Sequence, residues 1–299
     1  MSNTIQNEMQ LHTSLTRYLY SAMEVKQSLL ISLLQHDVSQ SLFWGYEYYY
    51  SGFEEDTFYF LKNIYDEIYS ETNPTLEKYI SELTTEWENN DDNKYDCNVG
   101  SIIYTLALRS YDLVSFVRNR LSYKVTKDES NEELMPECLV QLLPEHIEKY
   151  KTVMVDLENK EKAYNLLKNV KLYPIIKDHN TLFDTQMPSN FGDIYHYPLE
   201  KWLYYASKSP MWLERIEDNN GTIHQDTETV TFENDDHERK FCELWDYEQD
   251  ELPSNIHELS LGTGKEKQLT IRQFCKKYKY TVVSKITKRK VTKKSEKTG

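Results

Sequence analysis

Between Val25 and Trp87 one pattern recurs four times: apolar side chains three and four residues apart, closed by a turn of a few polar residues. Val25, Leu29 and Leu33 share a helix face, and Leu30 and Leu34 widen it. Asp37 then stands where an N-cap belongs, with Gln40 three residues on as its capping-box partner. A second stripe carries Leu42, Phe43, Tyr46, Tyr49 and Tyr50, and Ser51-Gly52 supplies its stop. Glu54, Glu55 and Asp56 suit the positive end of a third helix bearing Phe58, Leu61, Tyr65 and Ile68. Pro74 opens a fourth, ending near Trp87. Amphipathic helices joined by such short turns bury their stripes by stacking antiparallel, which predicts an array of αα-hairpins.

Residues 89–97 read as a polar loop, and the spacing of Ile103, Leu106, Leu113, Val117 and Leu121 predicts a long helix over 99–122. Its apolar stretch Val99–Val117 is interrupted by Arg109 and Asp112, so we read it as buried and expect no membrane span. Lys127–Glu133 is a polar boundary. Shorter helices are expected over 143–152, 160–170 and 198–207, among loops marked by Pro144, Pro174, Pro188 and Pro198. Met211–Ile216 and Thr229–Phe232 flank Asn220-Gly221, a strong hairpin signal that predicts a two-stranded ribbon. Asp236–Asp246 reads as a helix with Phe241 and Trp245 on one face. The expected fold is mostly α. A helical αα-hairpin domain spans 1–123, an α-rich region with one small β-ribbon spans 124–264, and a basic, largely disordered tail spans 265–299.

Charge divides the chain as sharply as periodicity does. The net charge is −14, yet residues 265–299 hold only two acids, Glu266 and Glu296, among a dense series of Lys and Arg. Such a sign reversal concerns partners rather than fold. With 8 glycines in 299 residues the chain has few places where backbone can approach a phosphate, which argues against phosphate-cradling loops. Walker, G-x-G-x-x-G and G-x-S-x-G patterns are missing. Cys97, Cys138, Cys242 and Cys275 are isolated, so neither a zinc ribbon nor a disulfide framework is expected. The opening residues show no secretory signal, and an intracellular chain is expected.

Three constellations invite chemistry. Asp235, Asp236, His237 and Glu238, with Glu243, Asp246, Glu248, Asp250 and Glu251 beyond, suggest a metal. They lack two imidazoles on one helix face and the alternating ligands of a calcium loop, and a solvated acidic helix start explains them better. The aromatic set from Phe43 to Phe60 could stack bases, but Glu47, Glu54, Glu55 and Asp56 would repel phosphates, so core packing is the stronger reading. Tyr48 and Tyr59 lie off the core stripe and could cover a protein interface. In the basic segment, Thr270 and Gln273 form a possible capping box. A helix-turn-helix there lacks its turn glycine and a third helix. Lys285, Lys288, Arg289, Lys290, Lys293, Lys294 and Lys297 are the candidate contact residues: a nuclear-localisation address, a phosphate-binding arm or a solvating tail. The acidic body of this chain, or of another copy, is a further surface on which they could dock.

Two stretches, Ser28–Asp56 and Ser209–Pro253, resemble an uncharacterised family from nucleocytoplasmic large DNA viruses. The resemblance covers about a quarter of the chain and carries no activity or site residues with it. It implies a viral protein of the host cytoplasm or nucleus, or of the virion. The first stretch is also similar to the helical C-terminal region of clamp-loader-like recombination ATPases, through Asp37, Ser41, Leu42, Phe43, Trp44 and Gly52-Phe53-Glu54, without the ATPase module. The expected function is a non-enzymatic viral interaction or scaffold protein whose basic tail contacts nucleic acid or an acidic partner. The alternatives are an accessory factor of viral transcription or replication that binds nucleic acid through its C-terminus, and a divergent enzyme without a recognisable motif. No cofactor is expected. The expected partners are a protein and, through the tail, nucleic acid.

Overall fold

A computed structural model describes residues 14–89, 95–128, 137–151, 163–183, 201–245 and 253–286. The four expected N-terminal helices are present as α1 (Ala22–Leu34), α2 (Val38–Tyr49), α3 (Glu54–Ile64) and α4 (Leu76–Glu88). Asp37 caps α2 as its position predicts: its carboxylate accepts from the Gln40 backbone N–H and from the Gln40 side chain, both at 2.9 Å. Gly52 takes φ +90°, the conformation a side chain resists, and reverses the chain into α3. A single π turn, Tyr65–Tyr69, prolongs α3 before the crossing to α4.

Helix α5 (Asp96–Ala107) packs across α2, and two glycines set how closely. A Cβ on Gly45 would stand 2.2 Å from Ile103 Cδ1, and one on Gly100 would stand 2.1 Å from the Tyr46 hydroxyl. Each helix therefore spends one of the chain's few glycines on the contact.

The expected helix over 99–122 is broken. After α5 the chain turns through 108–113 and resumes as α6 (Val114–Arg120). Tertiary bonds replace the helical ladder across the break. The Asp112 N–H donates to the Ile68 carbonyl at 2.9 Å, and Tyr111 Oη donates to Leu34 O at 2.7 Å. The Asp112 carboxylate then caps the Val114 N–H at 2.6 Å.

The second half is α-rich, as expected, with short helices α7 (Pro144–Ile147), α8 (Ala163–Val170), α9 (Asn180–Phe183), α10 (Trp202–Ala206), α11 (Pro210–Asp218), α12 (Asp235–Trp245), α13 (Ser254–Leu261) and α14 (Ile271–Lys277). Residues 198–200 of the expected helix over 198–207 lie outside the described residues. The ribbon exists, but Asn220-Gly221 is not its turn. Met211–Ile216 is helical, started by Pro210 in the first turn of α11, and Asn220 at φ +54° ends that helix in the left-handed conformation. Strand β2 (Gly221–His224) begins at the glycine and pairs antiparallel with β3 (Thr229–Phe232).

A second ribbon was not expected. Strand β1 (Tyr123–Lys127) pairs antiparallel with β4 (Tyr280–Lys285), from Tyr123 opposite Lys285 to Lys127 opposite Tyr280. The sign-reversed segment therefore does not leave the body at 265. Thr270 and Gln273 form the capping box that opens α14, Phe274 and Cys275 are buried, and the Leu113 N–H donates to Tyr280 Oη at 3.0 Å. Apolar side chains decided this: Phe274 meets Phe183 and His179 edge-on, while Lys276, Lys277 and Lys279 remain outside. Bonds also cross the expected boundary at 123, since Gln27 donates to Asn180 Oδ1 at 2.7 Å and Glu24 pairs with Lys177 at 3.2 Å. No helix among the described residues is long and apolar enough to cross a membrane.

Candidate functional site

Of the seven basic residues singled out by sequence, Lys285 lies among the described residues, while Lys288, Arg289, Lys290, Lys293, Lys294 and Lys297 lie outside them. Lys285 ends β4 opposite Tyr123, and its ammonium stands 5.8 Å from that ring's centroid. The next residue, Ile286, donates its N–H to Ser122 O at 2.8 Å. That bond holds Ile286, the last described residue before 287–299, beside the end of α6.

The aromatic set is core. Trp44, Tyr46 and Tyr48 are fully buried, and Phe43 meets Trp44 edge-on at 4.8 Å between centroids. Tyr48 is no interface residue, because its hydroxyl turns inward and donates to Asp56 Oδ2 at 2.6 Å. Tyr59 is the exception, at 66 % exposure.

Beside Tyr59 lies an open groove of two adjoining lobes: one of about 500 Å³ where α2, α3, α4 and α5 meet, and one of about 760 Å³ between α3 and α4. The first lobe is walled by Tyr49, Tyr50 and Trp87 and by the carboxylates of Glu54, Glu55, Glu88 and Asp96, and among the described residues no basic side chain lines it. The walls are held from beneath. Trp87 Nε1 donates to Tyr49 Oη at 2.9 Å, Tyr49 Oη to Asp96 Oδ1 at 3.3 Å, and Tyr50 Oη to Asp96 Oδ2 at 3.0 Å. The second lobe shares Glu55, Trp87 and Glu88 and adds Phe58, Tyr59 and Lys62, whose ammonium is bonded to Asp66. Burial raises the Glu54 carboxyl above its ordinary value, and the charges of Asp96, Glu55 and Glu214 push it the same way. Among the described residues Glu54, Glu55 and Glu88 form no ion pair. Aromatic faces among clustered carboxylates suit a cation, above all a Lys or Arg side chain.

Three other places have the ingredients of catalysis. Lys171 Nζ donates to Ser260 Oγ at 2.9 Å, and burial pushes the ammonium down to about 7, in the range of a general base. Both residues are 4 % exposed, however, and the pair joins the end of α8 to α13 inside the core. Asp178 bonds His179 Nδ1, but that imidazole is wholly buried between Phe183 and Phe274. The Cys275 thiol is pushed by burial up to about 11, the opposite of activation. Lys171, His179 and Cys275 are thus all built into the interior. Asp235, Asp236 and Glu238 occupy the first turn of α12, and Asp246, Glu248, Asp250 and Glu251 lie outside the described residues. Among the described residues no three His, Cys, Asp or Glu side chains converge as metal ligands would.

The Lys171 pair gives a pH signature. An unfolded lysine titrates near 10.4, so between about 7 and 10 the unfolded chain holds a proton that the folded one has lost. The contribution of this group to stability therefore rises with pH across that window. Lys171→Met is expected to raise Tm at pH 6 and to lose that advantage by pH 10. Scanning calorimetry at the two pH values checks this, and an equal effect at both contradicts it.

The chain matches no family model, no curated protein and no solved structure. Sequence reasoning found Tyr59 and the acids of α3 but not the groove, because Trp87, Glu88 and Asp96 join it only when α4 and α5 fold against α2. The available signal was Tyr59 itself, a large aromatic placed off its helix's apolar stripe.

Proposed function

We propose that this is a non-enzymatic interaction or scaffold protein that uses residues 287–299 as a basic contact element for a polyanion, with nucleic acid as the first candidate. The observation that carries the reading is the separation of charge. The described body presents a groove of carboxylates clustered between aromatic walls, whereas Lys288, Arg289, Lys290, Lys293, Lys294 and Lys297 all follow the last described strand in sequence. Phosphate contacts by such a segment are sequence-blind and depend on salt through counterion release. The sealing of Lys171, His179 and Cys275 inside the core supports a role without catalysis. The resemblance of Ser28–Asp56 and Ser209–Pro253 to proteins of large DNA viruses supports a viral setting, in the host cytoplasm or nucleus or in the virion. The test compares the full chain with a full-length variant in which those six residues are glutamine, using a fluorescent 20-base-pair duplex at low salt. The expected result is at least about a tenfold loss of affinity. Equal binding by the two proteins, or no binding by either, would overturn the reading.

A further inference from the structure

We propose that the acidic aromatic groove formed by α2, α3, α4 and α5 is the docking site for the chain's own residues 287–299, so that the body competes with the polyanion for its basic segment. This rests on the reading of that segment as the contact element.

Charge, position and reach argue for it together. The groove gathers Glu54, Glu55, Glu88 and Asp96 around Trp87 and Tyr50, with no basic residue in its first lobe among the described residues. Residues 287–299 bring six basic side chains against the single acid Glu296. The described residue before the segment is linked to the second lobe through its neighbours. Ile286 is bonded to Ser122, and two residues earlier Arg120 pairs with Glu67 at 2.6 Å and lies within electrostatic range of Tyr59, which lines the second lobe. Thirteen residues span about 40 Å when extended, roughly the length of an α-helix of twenty-seven residues, so both lobes lie within reach. Carboxylates continue along the way, since Asp66, Glu67 and Glu71 lie on the turn between α3 and α4. Within the groove the exposed face of Tyr59 and the ring of Trp87 offer cation–π contacts to lysine or arginine, beyond simple charge neutralisation. Tethering makes the contact intramolecular, which favours a weak electrostatic dock that a polyanion at sufficient concentration displaces.

Two measurements on the full chain test this. Zero-length carbodiimide coupling, which joins a lysine amine to a carboxylate it touches, is followed by mass spectrometry on an equal mixture of 15N-labelled and unlabelled protein. Links from Lys288, Lys290, Lys293 or Lys294 to Glu54, Glu55 or Glu88 within one isotopic chain are expected, and they should fade in high salt. Links between labelled and unlabelled chains would instead assign the groove to a second copy, and no links to these acids would leave it to another partner; either result overturns the proposal. The second measurement is duplex affinity for the variant Glu54→Gln, Glu55→Gln, Glu88→Gln. Release of the segment is expected to tighten binding by about fivefold or more. The control Glu145→Gln, Glu217→Gln, Glu258→Gln changes net charge equally, away from the groove, and should change affinity by about twofold at most. Equal effects of the two triple variants would overturn the docking. If neutralising the six basic residues abolishes duplex binding while the groove variant matches its control, the contact element stands and the docking falls. If neutralisation leaves binding intact, the contact element itself falls.

Discussion

Glu47→Ala is expected to cost about 3–5 kcal/mol of unfolding free energy, as for other buried ion pairs broken from one side. Glu47 is wholly buried in α2 and bonds Arg17 Nε at 2.9 Å, with Arg17 itself 3 % exposed. Burial raises the Glu47 carboxyl above its ordinary value, and the Arg17 charge and the bonds from Thr16, Arg17 and the Tyr18 backbone offset part of that rise. The pair as a unit therefore adds little stability, but either partner left alone is a charge sealed in the core. Removing the carboxylate also strips the Tyr18 N–H of its acceptor at 3.1 Å, a further cost of about 1–3 kcal/mol if that group stays dry. The double variant Arg17→Met, Glu47→Leu should recover most of the loss, apart from that orphaned N–H. Chemical denaturation of the two single variants and the double variant checks this. A single-variant loss below about 1 kcal/mol, or a double variant as unstable as the sum, would sink it.

Trp212→Ala is expected to cost a similar amount, about 3–5 kcal/mol, through a cavity far along the chain. Trp212 on α11 is fully buried, edge-on to Trp202 at 5.3 Å, and its Nε1 donates to Thr16 O at 3.1 Å. That carbonyl belongs to the buried stretch Ser14–Tyr20, which runs between the hairpin array and the second half. The Leu15 N–H bonds Tyr205 O on α10 at 3.2 Å, and the Arg17 N–H bonds Ser51 Oγ at 2.8 Å. Loss of Trp212 should consequently lower the stability of the hairpin array as well as that of its own surroundings. A single cooperative transition at lower denaturant is the expected result. Two separate transitions, or a loss under about 1 kcal/mol, would contradict it.

The N-terminal helices were legible because their signals are local. Stripe spacing, the Asp37 cap and Gly52 act within a few residues, and each appears in the fold as its neighbours predict. The elements read differently were settled by distant partners. Arg109 and Asp112 break the helix after α5 because Arg109 finds the carbonyls of Glu137 and Cys138, and the Asp112 N–H finds Ile68. Asn220-Gly221 favours positive φ wherever it stands, and here that freedom ends α11 instead of turning a hairpin. The pairing of β1 with β4 joins residues more than 150 positions apart, beyond what any local window weighs. The site followed the same rule. Tyr59 and the acids of α3 were visible along one helix, but their meeting with Trp87, Glu88 and Asp96 required the packed bundle. Tyr48 looked superficial until Asp56 supplied an inward acceptor.

The central claim is that this chain meets its partner through charges gathered in 287–299. The most direct measurement is the affinity of the full chain for a DNA duplex between 50 and 200 mM salt. If most of the six basic residues reach phosphates, log affinity should fall against log salt with a slope of about −3 to −5. A slope near zero, or one unchanged when the six are replaced by glutamine, would contradict the account.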